Sequence, residues 1–370
     1  MKCKIETLTP CHIGSEGKLI KDIDFVASNG RIGVISPEKI YALLGDGGID
    51  MWCNAIERRE SIWDVIKTQK PNACLEDICS RTMDTYGSIC NELGEQMASN
   101  GVPYIPGSSI KGAIVSAIVG ECSQDIELPS TIRKKNNIIA EQVLVKPTKR
   151  NGKVVYDPQN SNLRFLRIGD AYFNGAMTTA IQCISLNLRK RGSIIDNKAT
   201  MLVECIDMDC ETTFDLQLLT DYHTKCGNVV PPLPMALRSE VDLFNAINHH
   251  TCRLLEAEKE FWYKQKNLEY YHIDTDREQE ELDDYIDYID AVLDHCKCCT
   301  QGKAAVLRIG YGSGWNFMTG GWLNEDNERW DDIVDIARPK NEDRYSQYDF
   351  PKTRRIGYSP FGFVKISRLG

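Results

Sequence analysis

Strand-period and helix-period segments alternate along this chain without a strict repeat, and that mixture limits the fold class before any motif is read. Residues 2–8 alternate polar and apolar side chains like a half-buried strand, and the polar, glycine-containing loop TPCHIGSEGK follows. Residues 24–27 and 31–35 flank Ser28-Asn29-Gly30, an Asn-Gly hairpin signal. Ser36 as N-cap and Pro37 at the first helical position then open a helical region expected to reach about Ala98. A second Asn-Gly turn, Lys149-Arg-Asn-Gly-Lys, separates strands at 142–145 and 154–156, and further strands are expected at 164–172, 200–206 and 213–219. Residues 240–266 read as a long helix with Phe244, Ile247, Leu254 and Phe261 inward, and residues 304–309 as a late strand.

The chain has 370 residues, enough for two domains at about 150 residues each. Its longest apolar stretch falls far short of the roughly 20 residues of a membrane helix, and MKCKIETLTP lacks an apolar signal core, so a cytoplasmic location is expected. Fifteen cysteines, an odd number with no secretion signal, read as reduced thiols. The one dense cluster is His295, Cys296, Cys298 and Cys299. A tetrahedral zinc site needs a second ligand pair, which the sequence does not supply unless Cys252 or His272 approaches in space, so neither metal nor cofactor is expected.

Charge is strongly segregated. Residues 269–295 hold eleven acidic residues against the single basic Arg277, with tyrosines and isoleucines at near-helical spacing, and read as an amphipathic helical insertion. The rest of the chain is close to neutral and contains two basic regions. Residues 131–191 carry twelve Lys or Arg, including Arg133, Lys134, Lys135, Lys149 and Arg150, against three acidic residues, and residues 351–370 carry five and no acid. Surface charge acts over only about 10 Å at moderate salt, so local excess decides whether a phosphate is attracted. An acidic protein can therefore still bind RNA.

Two stretches suit a phosphate backbone. In Tyr104-Ile-Pro-Gly-Ser-Ser-Ile-Lys-Gly, a turn leads into a helix that Ser108 or Ser109 is expected to cap, and Lys111 lies beside the free N–H groups of its first turn. After the strand at 304–309 comes Gly310-Tyr-Gly-Ser-Gly-Trp, three glycines in five residues, which lets the backbone come close to a ligand. No G-K-[ST] follows those glycines, and a third glycine at dinucleotide-fold spacing is missing, so nucleotide hydrolysis is disfavoured.

Taken together, Leu-Thr-Pro-Cys-His-Ile-Gly-Ser, Tyr-Ile-Pro-Gly-Ser-Ser-Ile-Lys-Gly, Arg-Ile-Gly-Tyr-Gly-Ser-Gly-Trp and Pro-Lys-Thr-Arg-Arg resemble the RAMP superfamily of CRISPR proteins, from one end of the chain to the other. Within it, the length and the terminal basic block look most like the Csm-type subunit near the three-prime end of the guide RNA in type III-A effector complexes. The resemblance implies an α+β protein of two ferredoxin-like, RRM-related domains with helical insertions, at 1–200 and 201–370, the second interrupted by the acidic insertion at about 267–300. It further implies a non-catalytic crRNA-binding subunit that caps the backbone filament and supports crRNA maturation. The implied partners are crRNA, with target RNA as a further candidate, other Csm-type subunits and host nucleases that trim the guide. The implied RNA contacts are His12, Gly14 and Ser15; Gly107, Ser108, Ser109 and Lys111; Gly310, Gly312, Ser313 and Gly314; and Lys352, Arg354 and Arg355. Arg133, Lys134, Lys135, Lys149 and Arg150 join them on charge and turn chemistry.

Two other functional classes follow from the same residues. One is a metal-independent endoribonuclease with His12 as general acid or base, Lys111 stabilising the phosphorane and Ser109 orienting the phosphate, with a metal-dependent variant through Asp22 and Asp24. The other is a protein-interaction module without RNA contact, consistent with the acidic helix.

Overall fold

The computed structural model describes residues 1–122, 143–187, 195–266, 276–318 and 353–369. The N-terminal strand β1 (Lys2–Thr7) buries Cys3, Ile5 and Thr7 and lies at the centre of a five-stranded antiparallel sheet. On one side it pairs with β15 (Glu211–Leu218), beyond which lies β11 (Leu166–Ile168). On the other it pairs with β18 (Phe363–Arg368), beyond which lies β16 (Ala304–Arg308). Helices α4 (Gly107–Glu121) and α6 (Glu240–Lys266) pack on this sheet, their Ile110, Ile114, Phe244 and Ile247 meeting Ile5, Phe214 and Ile366. Burying each such side chain contributes roughly 1.5–3 kcal/mol. In chain order the unit reads β1, α4, β11, β15, α6, β18, and its spatial order β11-β15-β1-β18 is ferredoxin-like, with β16 added at the edge.

That edge is closed by side chains of α6. Thr251 donates to the Val306 carbonyl at 2.7 Å, Asn248 Oδ1 accepts the Val306 N–H at 3.2 Å, and Asn245 accepts the Gly302 N–H at 2.7 Å. An exposed ladder edge invites foreign strands, and here polar helix residues take its hydrogen bonds. The described part of the acidic stretch forms α7 (Asp276–Lys297), antiparallel to α6, with Leu282, Tyr285, Ile286, Ile289, Val292 and Leu293 buried and Asp284 and Asp287 exposed.

The second sheet runs in the order β2 (Gly14–Ile20), β6 (Glu92–Gln96), β14 (Ile195–Ile206), β13 (Thr178–Asn187), β5 (Cys79–Tyr86), β4 (Arg31–Ile35), β3 (Phe25–Ser28). The β13–β5 and β14–β6 pairs are parallel, and β17 (Thr353–Ile356) pairs with the far end of β13. A bridge between Lys21 and Phe25 brings the two ends of the sheet together. Each strand from β2 to β3 sends a residue into the hollow so formed: Leu19, Leu93, Leu202, Ala180, Met83, Ile32 and Phe25. On the opposite face, helices α1 (Pro37–Leu44), α2 (Gly47–Arg58) and α3 (Ile62–Gln69) cover Val26, Ile35 and Cys79.

Ser36 caps α1, accepting the Lys39 N–H at 3.3 Å. The helical region stops at Gln69 rather than near Ala98. Pro71 disfavours helical backbone at Lys70, and the following segment enters the sheet as β5 and β6. A small sheet of β7 (Ala98–Ser99), β8 (Val102–Ile105) and β12 (Ala171–Tyr172) lies beside it. Strands β9 (Val145–Arg150) and β10 (Lys153–Ser161) form the basic hairpin, turned by Asn151 and Gly152 at φ 51° and 76°, and α5 (Thr220–Lys225) follows β15. Residue 200 falls inside β14, and the ferredoxin-like sheet draws strands from both ends of the chain. Among the described residues, no helix is long and apolar enough to cross a membrane.

Candidate nucleic-acid interface

The first loop and the late glycine loop form one structure. The Tyr311 N–H donates to the His12 carbonyl at 2.9 Å, and the Tyr311 ring meets the imidazole edge-on at 5.6 Å. Gly310 has φ +74°, and a Cβ there would run into the His12 carbonyl, so only glycine fits this contact. Gly312 and Gly314 also have positive φ, and Ser313 closes the loop by donating to the Gly310 carbonyl at 2.7 Å. Arg308, at the end of β16, holds the entry to the loop. Its buried guanidinium lies over the rings of Phe317 and Phe363, 5.1 and 4.6 Å from their centroids, and its Nε donates to the Phe361 carbonyl at 3.0 Å. Arg355 on β17 reaches the same loop, donating to the Tyr311 hydroxyl at 2.6 Å.

Two buried polar residues that carry no sequence signature anchor these loops. Gln96 accepts the Ile13 N–H at 2.9 Å and donates to the Tyr104 carbonyl at 3.2 Å, tying the first loop to the segment that enters α4. The Glu204 carboxylate accepts from Arg81, Thr178 and the Gln96 N–H, while its carbonyl bonds His12 Nδ1 at 2.5 Å. Burial holds the His12 imidazole below its ordinary pKa, and its Nε2 faces Gly14 and Gly94. His12 is 3% exposed, with Nδ1 on the Glu204 carbonyl and Nε2 against the two glycines. Gly14 is exposed, and the half-buried Ser15 lies 3.4 Å from Glu95.

The turn before α4 differs from the sequence expectation. Pro106 occupies the N-cap, so neither Ser108 nor Ser109 caps the helix; both lie in its first turn. Asp170 takes the capping role, its Oδ1 accepting the Gly107 N–H at 2.7 Å, and a Cβ on Gly107 would strike the Ile168 and Gly169 carbonyls. Lys111 turns away from the helix start and donates to the Leu163 and Leu166 carbonyls at 2.7 and 2.8 Å, while burial lowers its pKa. Arg354 is likewise committed inside the protein: its Nε and Nη2 meet Glu258 at 2.5 and 2.7 Å. Both side chains are phosphate candidates by sequence, and in the structure their charged groups meet partners inside the protein. Arg133, Lys134, Lys135 and Lys352 lie outside the described residues.

Lys149 and Arg150 are exposed on the β9–β10 hairpin, Arg150 paired with Asp157 at 3.1 Å. The hairpin base packs on residues 227–232, where Lys146 donates to the Asn228 carbonyl beside a cavity of about 410 Å³. A second cleft, of about 340 Å³, opens beside β5 and β13 and is lined by Arg31, Arg81, Asp84, Glu204 and Asp207; burial raises the Asp207 pKa. Asp24 accepts the Ile20 N–H at 2.8 Å within a turn at Asp22. Among the described residues, no group of three His, Cys, Asp or Glu is placed to hold a metal ion.

A ferredoxin-like sheet beside a curled second sheet, with the His12 loop and the glycine loop bonded to each other, defines an α+β protein. The model of the RAMP superfamily matches residues 4–317, and the chain belongs to that superfamily. A subunit in the cryo-EM structure of a Csm–crRNA–target RNA ternary complex of a type III-A CRISPR-Cas system is similar at 18% identity, over 99% of this chain and 100% of that one, with a TM-score of 0.75. The crystal structure of T. onnurineus Csm5 is similar at 18% identity, over 98% and 99%, with a TM-score of 0.68. None of the curated proteins compared with this chain matches it.

Proposed function

We propose that this protein is a non-catalytic crRNA-binding subunit of a type III-A effector complex, placed near the crRNA three-prime end, where it caps the backbone filament and supports guide maturation. The observation that carries this reading is the bonded loop pair: Gly310, Gly312 and Gly314 at positive φ in the late loop, which meets the His12 loop, with Arg355 alongside. Such a surface grips a phosphate backbone by shape and charge without reading bases, which suits a protein that accepts any guide sequence. Its partners on this reading are crRNA, target RNA, neighbouring Csm-type subunits and trimming nucleases, in the cytoplasm. The burial of His12 favours binding over cleavage.

The test is incubation of the full chain, alone and with its neighbouring subunits, with end-labelled single-stranded RNA across a salt series, with and without divalent metal. Intact RNA retained with steep salt sensitivity is the expected result. Cleavage lost in a folded His12→Ala variant would assign an endoribonuclease instead, and absence of retention in both settings would leave a protein adaptor.

A further inference from the structure

A backbone grip leaves the guide's bases unaccounted for, and one surface of the second sheet carries exposed aromatic rings. Tyr86, the last residue of β5, is 54% exposed, and its ring lies 4.8 Å from that of Tyr358, centroid to centroid, tilted by 50°. Both lie on the Ile181 face of β13: Tyr86 is its register partner on β5, and Tyr358 packs against the buried cluster that contains Ile181. Two residues along that face, Cys183 accepts a hydrogen bond from the Tyr311 hydroxyl at 3.5 Å. Ser185 follows, paired with Arg355, whose guanidinium lies 5.2 Å from the Tyr311 ring centroid. Same-face residues on a strand are about 7 Å apart, so the tyrosine pair and the Tyr311–Arg355 pair lie in line along β13.

We propose that Tyr86 and Tyr358 form a stacking platform for unpaired bases of single-stranded RNA, with Tyr311 and Arg355 continuing the track toward the glycine loop. The proposal rests on the guide-binding reading and adds to it the contact that bases make. Aromatic faces meet only bases that are out of a duplex, and every base has such a face, so the platform is indifferent to sequence. Asp84 and Asp207 lie near the tyrosine pair and would repel a phosphate, which puts the sugar-phosphate chain on the Arg355 side. The other tyrosine pair is less suited. Tyr104 and Tyr172 stack on each other at 5.0 Å and 20°, each covering a face of its partner, with Asp170 beside them.

The test uses the full chain, fluorescence anisotropy, and two end-labelled strands of equal length, an oligoadenylate and a sugar-phosphate strand without bases. Tyr86→Ala is expected to weaken the oligoadenylate about tenfold and leave the baseless strand unchanged, whereas Tyr86→Trp retains binding. Arg355→Ala is expected to weaken both strands and to lower the salt slope by about one. Tyr86 is on the surface, so a matching melting curve confirms that each variant folds. If Tyr86→Ala changes neither strand, or both equally, while the wild-type chain binds, the platform is overturned and the guide-binding reading stands. If the wild-type chain binds neither strand, alone or with its neighbouring subunits, both readings fall.

Discussion

Arg354 and Arg355 are neighbours on β17, yet they serve opposite sides of the sheet: Arg354 is buried against Glu258 of α6, and Arg355 is exposed beside Tyr311 of the glycine loop. Strand side chains alternate between faces, so two residues that read as one basic block are divided between the core and the surface. Arg354→Ala is therefore expected to cost about 3–5 kcal/mol in urea unfolding, because it leaves the Glu258 carboxylate buried without its partner. Arg355→Ala should leave the unfolding midpoint nearly unchanged. A large stability loss in Arg355→Ala with none in Arg354→Ala would reverse this assignment.

The same pair sets a dependence on pH. Burial opposes ionisation of Glu258, but Arg354 and the hydrogen bonds from Tyr285 and Trp262 outweigh it and hold the carboxyl at about 2, below the ordinary 4.5. A carboxylate depressed in the folded state stabilises fully above the unfolded value, and that stability is lost as pH falls from about 4.5 towards 2. The contribution is about 3 kcal/mol by linkage. Thermal melts from pH 6 down to pH 3 should show Tm falling more steeply in the wild type than in Glu258→Gln, and parallel curves would refute the linkage.

Gly310 and Gly314 share a positive φ but not a neighbourhood. At Gly310 a Cβ meets the His12 carbonyl, whereas at Gly314 nothing comes closer than the Gly312 carbonyl at 3.8 Å. Gly314→Ala should cost only left-handed strain, about 1 kcal/mol, and Gly310→Ala roughly 2–3 kcal/mol, since the two loops must also part. Paired urea titrations would decide it, and equal losses would mean that the welded contact contributes nothing.

Local signals were legible in the sequence where a few neighbouring residues decide the outcome. The Ser36–Pro37 helix start, both Asn-Gly hairpins, the inward face of α6 at Phe244, Ile247 and Leu254, and the glycine loop after β16 are of this kind. The candidate interface is assembled by contacts that have no period. Gln96 joins residues 13 and 104, Glu204 joins 12, 81 and 178, and a ring contact joins Tyr86 to Tyr358. Charge was the least reliable guide, because a lysine or arginine near a glycine motif reads alike whether it meets a phosphate or a carbonyl. Lys111 and Arg354 meet partners that only the fold brings to them.

Lys111 gives the sharpest contrast with the exposed hairpin. Its ammonium group spends two protons on the Leu163 and Leu166 carbonyls, so Lys111→Met should destabilise the fold by about 1–3 kcal/mol through the two carbonyls left unpaired. The salt slope of RNA binding should not change, because a charge already held by the protein displaces no counterion from the RNA. Lys149 and Arg150 stand exposed on the hairpin: Lys149→Ala should lower that slope by about one, and Arg150→Ala, whose charge Asp157 partly offsets, by less, each leaving the unfolding midpoint in place. Binding titrations of the three variants over a salt series, paired with urea melts, separate the two behaviours. A drop in slope for Lys111→Met without loss of stability would return this lysine to the phosphate grip that the sequence motif first suggested.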